Sequence, residues 1–219
     1  MKLHASFFWR KLDHPGHDSC RLFKLPKGWF LSGAAVFSDN DKPCHLYYEV
    51  TADAEWKTKR AKLFGFVGNN AVDLRIRSTS TQRWFANDVA QDNVADCLDL
   101  DLGFTPATNL VAIRRLALKV GQCAEAPAAY LAFPKMRVEK LDQSYHRTGR
   151  TTFEYTAPRF GYAATLEVDA FGAVLTYPGL FEQVLLSKKP AQPSAGLNQG
   201  EAFHDNKQSP KNQLLIRVV

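Results

Sequence analysis

The densest run of chemistry-bearing side chains lies between Cys97 and Leu116, CLDLDLGFTPATNLVAIRRL. Asp99 and Asp101 are two residues apart, so in a strand they share one face while Leu98, Leu100 and Leu102 take the other. Paired carboxylates can hold a cation or divide the roles of acid and base. Strand geometry sets these two about 7 Å apart, and neither a histidine nor a third ligand at a telling spacing accompanies them. No metal and no cofactor is therefore expected. The residues favour a structural corner made of Asp99, Asp101, Thr105, Pro106 and Thr108. Thr105 followed by Pro106 has the chemistry of an N-cap and first helical residue, which predicts a short helix of two turns over 107–113. Downstream, RLALKV alternates like a strand, so Arg114 and Arg115 point to opposite faces. The inward arginine needs Asp99 or Asp101, because an unpaired buried charge is costly. The other is open to an anionic or polar ligand, as is the amide of Asn109. Asn109, Arg114 and Arg115 are thus the candidate ligand-binding residues.

Other constellations carry less. Asp142, Tyr145 and His146 in DQSYHR suggest acid–base work, but adjacent strand residues such as Tyr145 and His146 point apart. His14 and His17 flank a Pro-Gly turn without further ligands. No nucleophile elbow, phosphate loop or dinucleotide fingerprint is present. Cys20, Cys44, Cys97 and Cys123 are widely spaced, which fits reduced thiols better than a disulfide framework.

The elements that must position these groups are mostly strands. AVDLRIRS alternates Val72, Leu74 and Ile76 against Asp73, Arg75 and Arg77, the pattern of a half-buried strand. Gly68-Asn69-Asn70 reads as a hairpin turn, and Asp169-Ala170-Phe171-Gly172 as a tight connection between two more strands. A second short helix is expected within 88–96, and Pro134 marks an edge or a bulge. Many short strands with few helices predict a mainly β protein, mostly antiparallel and either closed or curled, with a few short helices. The aromatic residues either fill its interior or line a cavity there. Basic residues beside aromatic ones, Lys57, Lys59 and Lys62 near Trp56 and then Arg75 and Arg77, would suit nucleic acid or an anionic amphiphile if they are more than a solvated face.

The 219 residues carry a formal net charge of +6, which accepts anionic partners without selecting one. The apolar run from Ala5 to Trp9 is too short for a signal peptide, and no stretch reaches the roughly 18 apolar residues of a membrane helix. A cytoplasmic protein is expected. From Ser187 the composition turns to Pro, Gln, Asn and Lys, so the chain divides into a β domain at 1–186 and an extension at 187–219. The extension reads as flexible and ends in the apolar LLIRVV.

The blocks DLDLGFTPATNLVAIRRL, FPKMRV, DQSYHR and LEVDAFGAVLTYPGLF, preceded by YYEVTADAEWKTKRAKL, resemble a bacterial glycolipid-binding protein family in order and spacing, over roughly 29–181. The resemblance implies a large curled antiparallel sheet, barrel-like, with an interior able to hold an apolar chain. It brings no catalytic residues. The matching positions of the central block are Asp99, Asp101, Thr105, Pro106, Thr108, Asn109, Arg114 and Arg115.

The leading expectation is a non-enzymatic binding protein for a glycolipid or another amphiphilic small molecule. Its aromatic cavity would hold the acyl chain, and Arg114 or Arg115 with Asn109 would contact the head group. The alternative is a hydrolase or isomerase of a small carbohydrate or lipid derivative, with Asp99 or Asp101 as base and an arginine as anion stabiliser. Nucleic-acid binding through the basic sheet face ranks third. The oligomeric state is not legible.

Overall fold

The computed structural model describes residues 1–184; the extension expected at 187–219 lies outside them. Six long strands come first: β1 (Lys2–Lys11), β2 (Gly16–Leu25), β3 (Gly28–Asp39), β4 (Lys42–Ala52), β5 (Thr58–Val67) and β6 (Asn70–Ser78). Each pairs antiparallel with the next. Short β7 (Trp84–Ala86) and β8 (Val89–Ala90) continue the meander. The predicted turn separates Val67 from Asn70, which face each other across the ladder.

The chain then leaves this sheet. A 3-10 turn (Asp92–Val94) stands where a second short helix is expected. It is followed by β9 (Asp99–Leu102), another 3-10 turn (Pro106–Thr108) and α1 (Asn109–Leu116). Thr105 caps this run as expected, its hydroxyl accepting from the Ala107 N–H at 3.1 Å. The remaining strands are β10 (Cys123–Glu125), β11 (Ala128–Ala132), β12 (Arg137–Leu141), β13 (Ser144–Arg147), β14 (Thr152–Ala157), β15 (Tyr162–Val168), β16 (Val174–Tyr177) and β17 (Phe181–Gln183). Pro134 sits in the turn between β11 and β12, outside both ladders. The predicted connection after β15 is fixed by Asp169, whose carboxylate accepts from the N–H groups of Phe171, Gly172 and Ala173 at 2.8–2.9 Å.

Fourteen strands form one antiparallel sheet, in the order β10-β13-β14-β15-β16-β17-β1-β2-β3-β4-β5-β6-β7-β8. β17 lies against β1 and joins the two arms, with Trp9 opposite Gln183. A second sheet, β12-β11-β9, contains one parallel pair, β9 with β11. Among the described residues no ladder joins β8 to β10, so closure into a barrel is not seen.

The curl is visible in what the segment inside it touches. Leu100 donates its N–H to Thr58 Oγ1 in β5 at 3.2 Å, and Trp84 in β7 donates to the Cys97 carbonyl at 2.9 Å. On the other arm, Asn109 donates to Tyr145 Oη in β13 at 3.0 Å. One short stretch of chain is thus clasped by strands far apart in the sheet order. The inner face follows the period of two: in β4, Cys44, Leu46, Tyr48, Val50 and Ala52 are buried while the residues between them face outward. Trp9, Leu22, Leu31, Leu46 and Leu63 meet Leu100, Leu102, Phe104, Leu110 and Val111 in one apolar cluster. Each such side chain contributes about 1.5–3 kcal/mol. The inner face of the curl is therefore packed against the protein's own β9–α1 segment.

One local expectation is corrected. Arg114 and Arg115 lie in α1, not in a strand. The helix ends only at Ala117, which takes the left-handed conformation (φ 47°) and returns its N–H to the Ile113 carbonyl at 3.2 Å. Glycine is the usual residue there, so the end of the helix carries no sequence signal. The four cysteines are free thiols, three buried and Cys123 exposed.

Candidate functional site

The two aspartates of β9 have different surroundings. Asp99 is 1% exposed and is gripped by Arg115, whose Nε and Nη2 donate to its two oxygens at 2.8 and 2.6 Å. Burial pushes the Asp99 carboxyl up and the guanidinium opposes that push, so the bidentate geometry keeps the pair ionic. Asp101 has no such partner: among the described residues its carboxylate accepts no hydrogen bond. Burial, reinforced by the negative charge of Asp99, raises its pKa to about 7.

Asp101 instead faces a half-open cavity of about 240 Å³. The walls are Tyr130 from β11, Tyr155 from β14, Tyr162 from β15, Tyr177 from β16 and Phe181 from β17, with Phe160 from the 3-10 turn at Pro158–Phe160. Neighbouring strands bring these rings together: the centroids of Tyr155, Tyr162 and Tyr177 lie 5.6–6.1 Å apart, and Tyr130 meets Phe160 edge-on at 5.6 Å. Gly103 permits the close approach of the chain to Tyr130, since a Cβ there would stand 2.5 Å from its hydroxyl. Tyr155 donates to Gln143 Oε1 and Tyr162 to the Pro178 carbonyl, both at 2.7 Å. Tyr130 Oη makes no hydrogen bond to the described residues. Burial pushes all four phenols up, Tyr130 to about 12, so at neutral pH each is a neutral donor and acceptor.

The candidate ligand-binding residues do not converge. Arg115 is committed to Asp99. Asn109 lines the tyrosine cavity, with its amide nitrogen tied to Tyr145. Arg114 lines a separate recess of about 240 Å³ with Arg147 and Arg150. Its guanidinium lies over the rings of Phe171 and Trp56 at 4.5 and 5.6 Å, and its buried Nε has no partner among the described residues. Arg147 is spent on the carbonyls of Leu118, Gly149 and Arg150.

Within the structural corner, Thr105 has a second duty. It bonds through Oγ1 to Asp18, a fully buried carboxylate on β2 that also accepts from Tyr48 Oη at 3.0 and 3.1 Å. Burial raises Asp18 to about 7 as well. Thr108 Oγ1 accepts from the Leu102 N–H at 3.2 Å, and Pro106 is buried. Tyr145 and His146 point apart as expected, Tyr145 buried and His146 bonded to Glu154 at 2.9 Å on the surface. Among the described residues, no three histidine, cysteine or carboxylate side chains are grouped to hold a metal ion.

Sequence reasoning missed the tyrosine wall and placed Asp101 with the structural corner. A signal was available: five of the seven tyrosines fall between 130 and 177. A ring that carries a hydroxyl into a buried setting implies a polar neighbour or a ligand.

Comparison with known proteins agrees with this architecture. Residues 6–183 match the protein family described as "Putative glycolipid-binding". A crystal structure of a DUF1089 family protein from Pseudomonas aeruginosa superposes with a TM-score of 0.69 at 27% identity, covering 76% of this chain and 92% of that one. No curated protein matches the sequence.

Proposed function

Because the chain belongs to the Putative glycolipid-binding family, we propose that it binds the head group of a glycolipid or similar amphiphile, without transforming it, in the tyrosine-lined cavity. One observation carries the proposal: a half-open cavity walled by four neutral tyrosines and holding one carboxylate, Asp101, that accepts no hydrogen bond among the described residues. A sugar ring has apolar C–H faces and a polar hydroxyl rim. Aromatic walls suit the faces, while Asp101, the Tyr130 hydroxyl and Asn109 suit the rim. The volume of about 240 Å³ falls below the roughly 300–1,000 Å³ of sites that enclose a drug-sized ligand, so the acyl chain lies outside it. This differs from a chain held in a barrel lumen, a space that β9 and α1 fill here. It also leaves no carboxylate pair for acid–base work, because Asp99 is clamped by Arg115 and does not line the cavity.

Calorimetric titration with n-octyl glucoside, glucose and octanoate tests the reading. Octyl glucoside and glucose are expected to bind and octanoate not to, and Asp101→Asn or Tyr130→Ala to weaken octyl glucoside about tenfold, or 1.4 kcal/mol. Absence of binding by octyl glucoside, or equal affinity in both variants, would overturn it. Native mass spectrometry of protein purified without detergent is expected to show a co-purified amphiphile.

A further inference from the structure

The outer face of β3–β6 is sorted by chemistry in a way that the interior does not require. Strand register places its outward residues in cross-strand rows. Two rows are aromatic or apolar across β3–β5: Ala34, Tyr47 and Phe64, a row that ends on Asp73 in β6, then Val36, His45 and Phe66, which ends on Ala71. Val36, Phe64 and Phe66 are 57%, 43% and 39% exposed, and the rings pair across strands, Tyr47 with Phe64 at 4.6 Å and His45 with Phe66 at 6.0 Å. The next two rows are basic toward β5 and β6: Glu49, Lys62 and Arg75, then Thr51, Arg60 and Arg77. Arg77 pairs with Asp88 at 3.3 Å, whereas Arg60, Lys62 and Arg75 form no ion pair among the described residues. A groove of about 420 Å³ lies among these side chains, with four cations facing Glu49, Asp88 and the ring of Phe30. Lys62 also reaches over the Phe64 ring at 5.5 Å, linking the two zones.

We propose that this face docks on an anionic lipid bilayer, the Phe64 and Phe66 rows entering the head-group boundary and the Arg60, Lys62 and Arg75 rows meeting lipid phosphates. A bilayer surface is layered, apolar below and anionic above, and the face is divided in the same order. The most exposed rings, Phe64 and Phe66, stand in rows without cations. Phe30 in the groove and Phe85 beneath Arg77 stand beside cations, an arrangement that single-stranded nucleic acid also uses, so that ligand is the competing arm of the test. The proposal goes beyond the head-group cavity and uses none of its residues.

Flotation of the full-length protein with vesicles tests it. The protein is expected to float with phosphatidylcholine vesicles containing about one-third phosphatidylglycerol, less with phosphatidylcholine alone, and less as salt rises. Lys62→Glu with Arg75→Glu is expected to lower partitioning about tenfold or more, and Phe64→Ser with Phe66→Ser about tenfold. Thermal melting and circular dichroism confirm that each variant is folded. Asp101→Asn is expected to float like the parent, which separates this proposal from the cavity. No flotation, equal flotation with neutral vesicles, unchanged flotation of both double variants, or tighter binding to single-stranded RNA than to vesicles would each overturn it.

Discussion

Asp99 and Asp101 stand two residues apart on one face of one strand, yet one closes a corner and the other opens a cavity. At Asp99 a guanidinium from α1 arrives with both nitrogens aligned, and the carboxylate is sealed. At Asp101 the facing elements supply tyrosines in place of a cation, and the carboxylate is held near its protonation point. The difference arises from what the other elements bring to each end of a four-residue strand. A cation turns a buried carboxylate into a brace, and a ring of neutral phenols leaves it available.

The contrast breaks most visibly at the corner. Arg115→Met strands Asp99 as a buried charge and is expected to destabilise the fold by about 3–5 kcal/mol, read from urea denaturation at pH 7. The double variant Asp99→Leu with Arg115→Met is expected to lose clearly less, since it leaves no orphan charge. A double variant that loses as much as the single one would show that packing, not charge, holds the corner. Tyr48→Phe comes next. It removes a donor from buried Asp18 and is expected to cost about 1–3 kcal/mol, measured in the same way.

The cavity end responds to pH. Asp101 is raised to about 7 in the folded protein from an ordinary value of 3.8. The folded state therefore holds this proton more tightly than the unfolded chain does. The resulting stability is full below about pH 4 and is lost as pH rises through about 7. Asp101→Asn removes that loss, so the variant is expected to gain on the parent between pH 5 and 8, by about 1–2 kcal/mol after allowing for screening in a half-open site. Melting curves across that range check the sign. Asp18 is raised for the same reason, so the variant keeps a residual slope of the same direction. The smallest effect is expected at the surface, where His146→Gln breaks the exposed pair with Glu154 and changes stability by no more than about 0.5 kcal/mol.

How far the sequence carries depends on whether a signal is local. The alternation in β6, the Gly68-Asn69 turn, the Asp169 connection and the Thr105-Pro106 helix start were legible because each is written in adjacent residues. So was the need of one arginine for an aspartate, though not which of the two. The helix end at Ala117 was not legible, because an alanine occupies a position that normally advertises itself as glycine and Leu116 and Leu118 mimic a strand. The tyrosine wall was illegible for a different reason. Tyr130, Tyr155, Tyr162 and Tyr177 each look like ordinary inward residues of separate strands, and only the pairing of β14, β15 and β16 and the approach of β9 and β11 gather them. Asp18 was missed likewise, since its partners Tyr48 and Thr105 lie 30 and 87 residues away.

An open sheet of fourteen strands has two free margins, and unpaired margins invite a neighbouring chain to add a strand. Here the margins are β8, two residues long, and β10, three residues long. β7 covers only Ile76–Ser78 of β6, so the rest of that nine-residue strand has a ladder to β5 alone, and there the Asn87 side chain accepts from the Arg75 N–H at 2.8 Å and donates to the Asp73 carbonyl at 3.1 Å. One side-chain amide thus does for part of that edge what a further strand would do, offering the backbone both a donor and an acceptor.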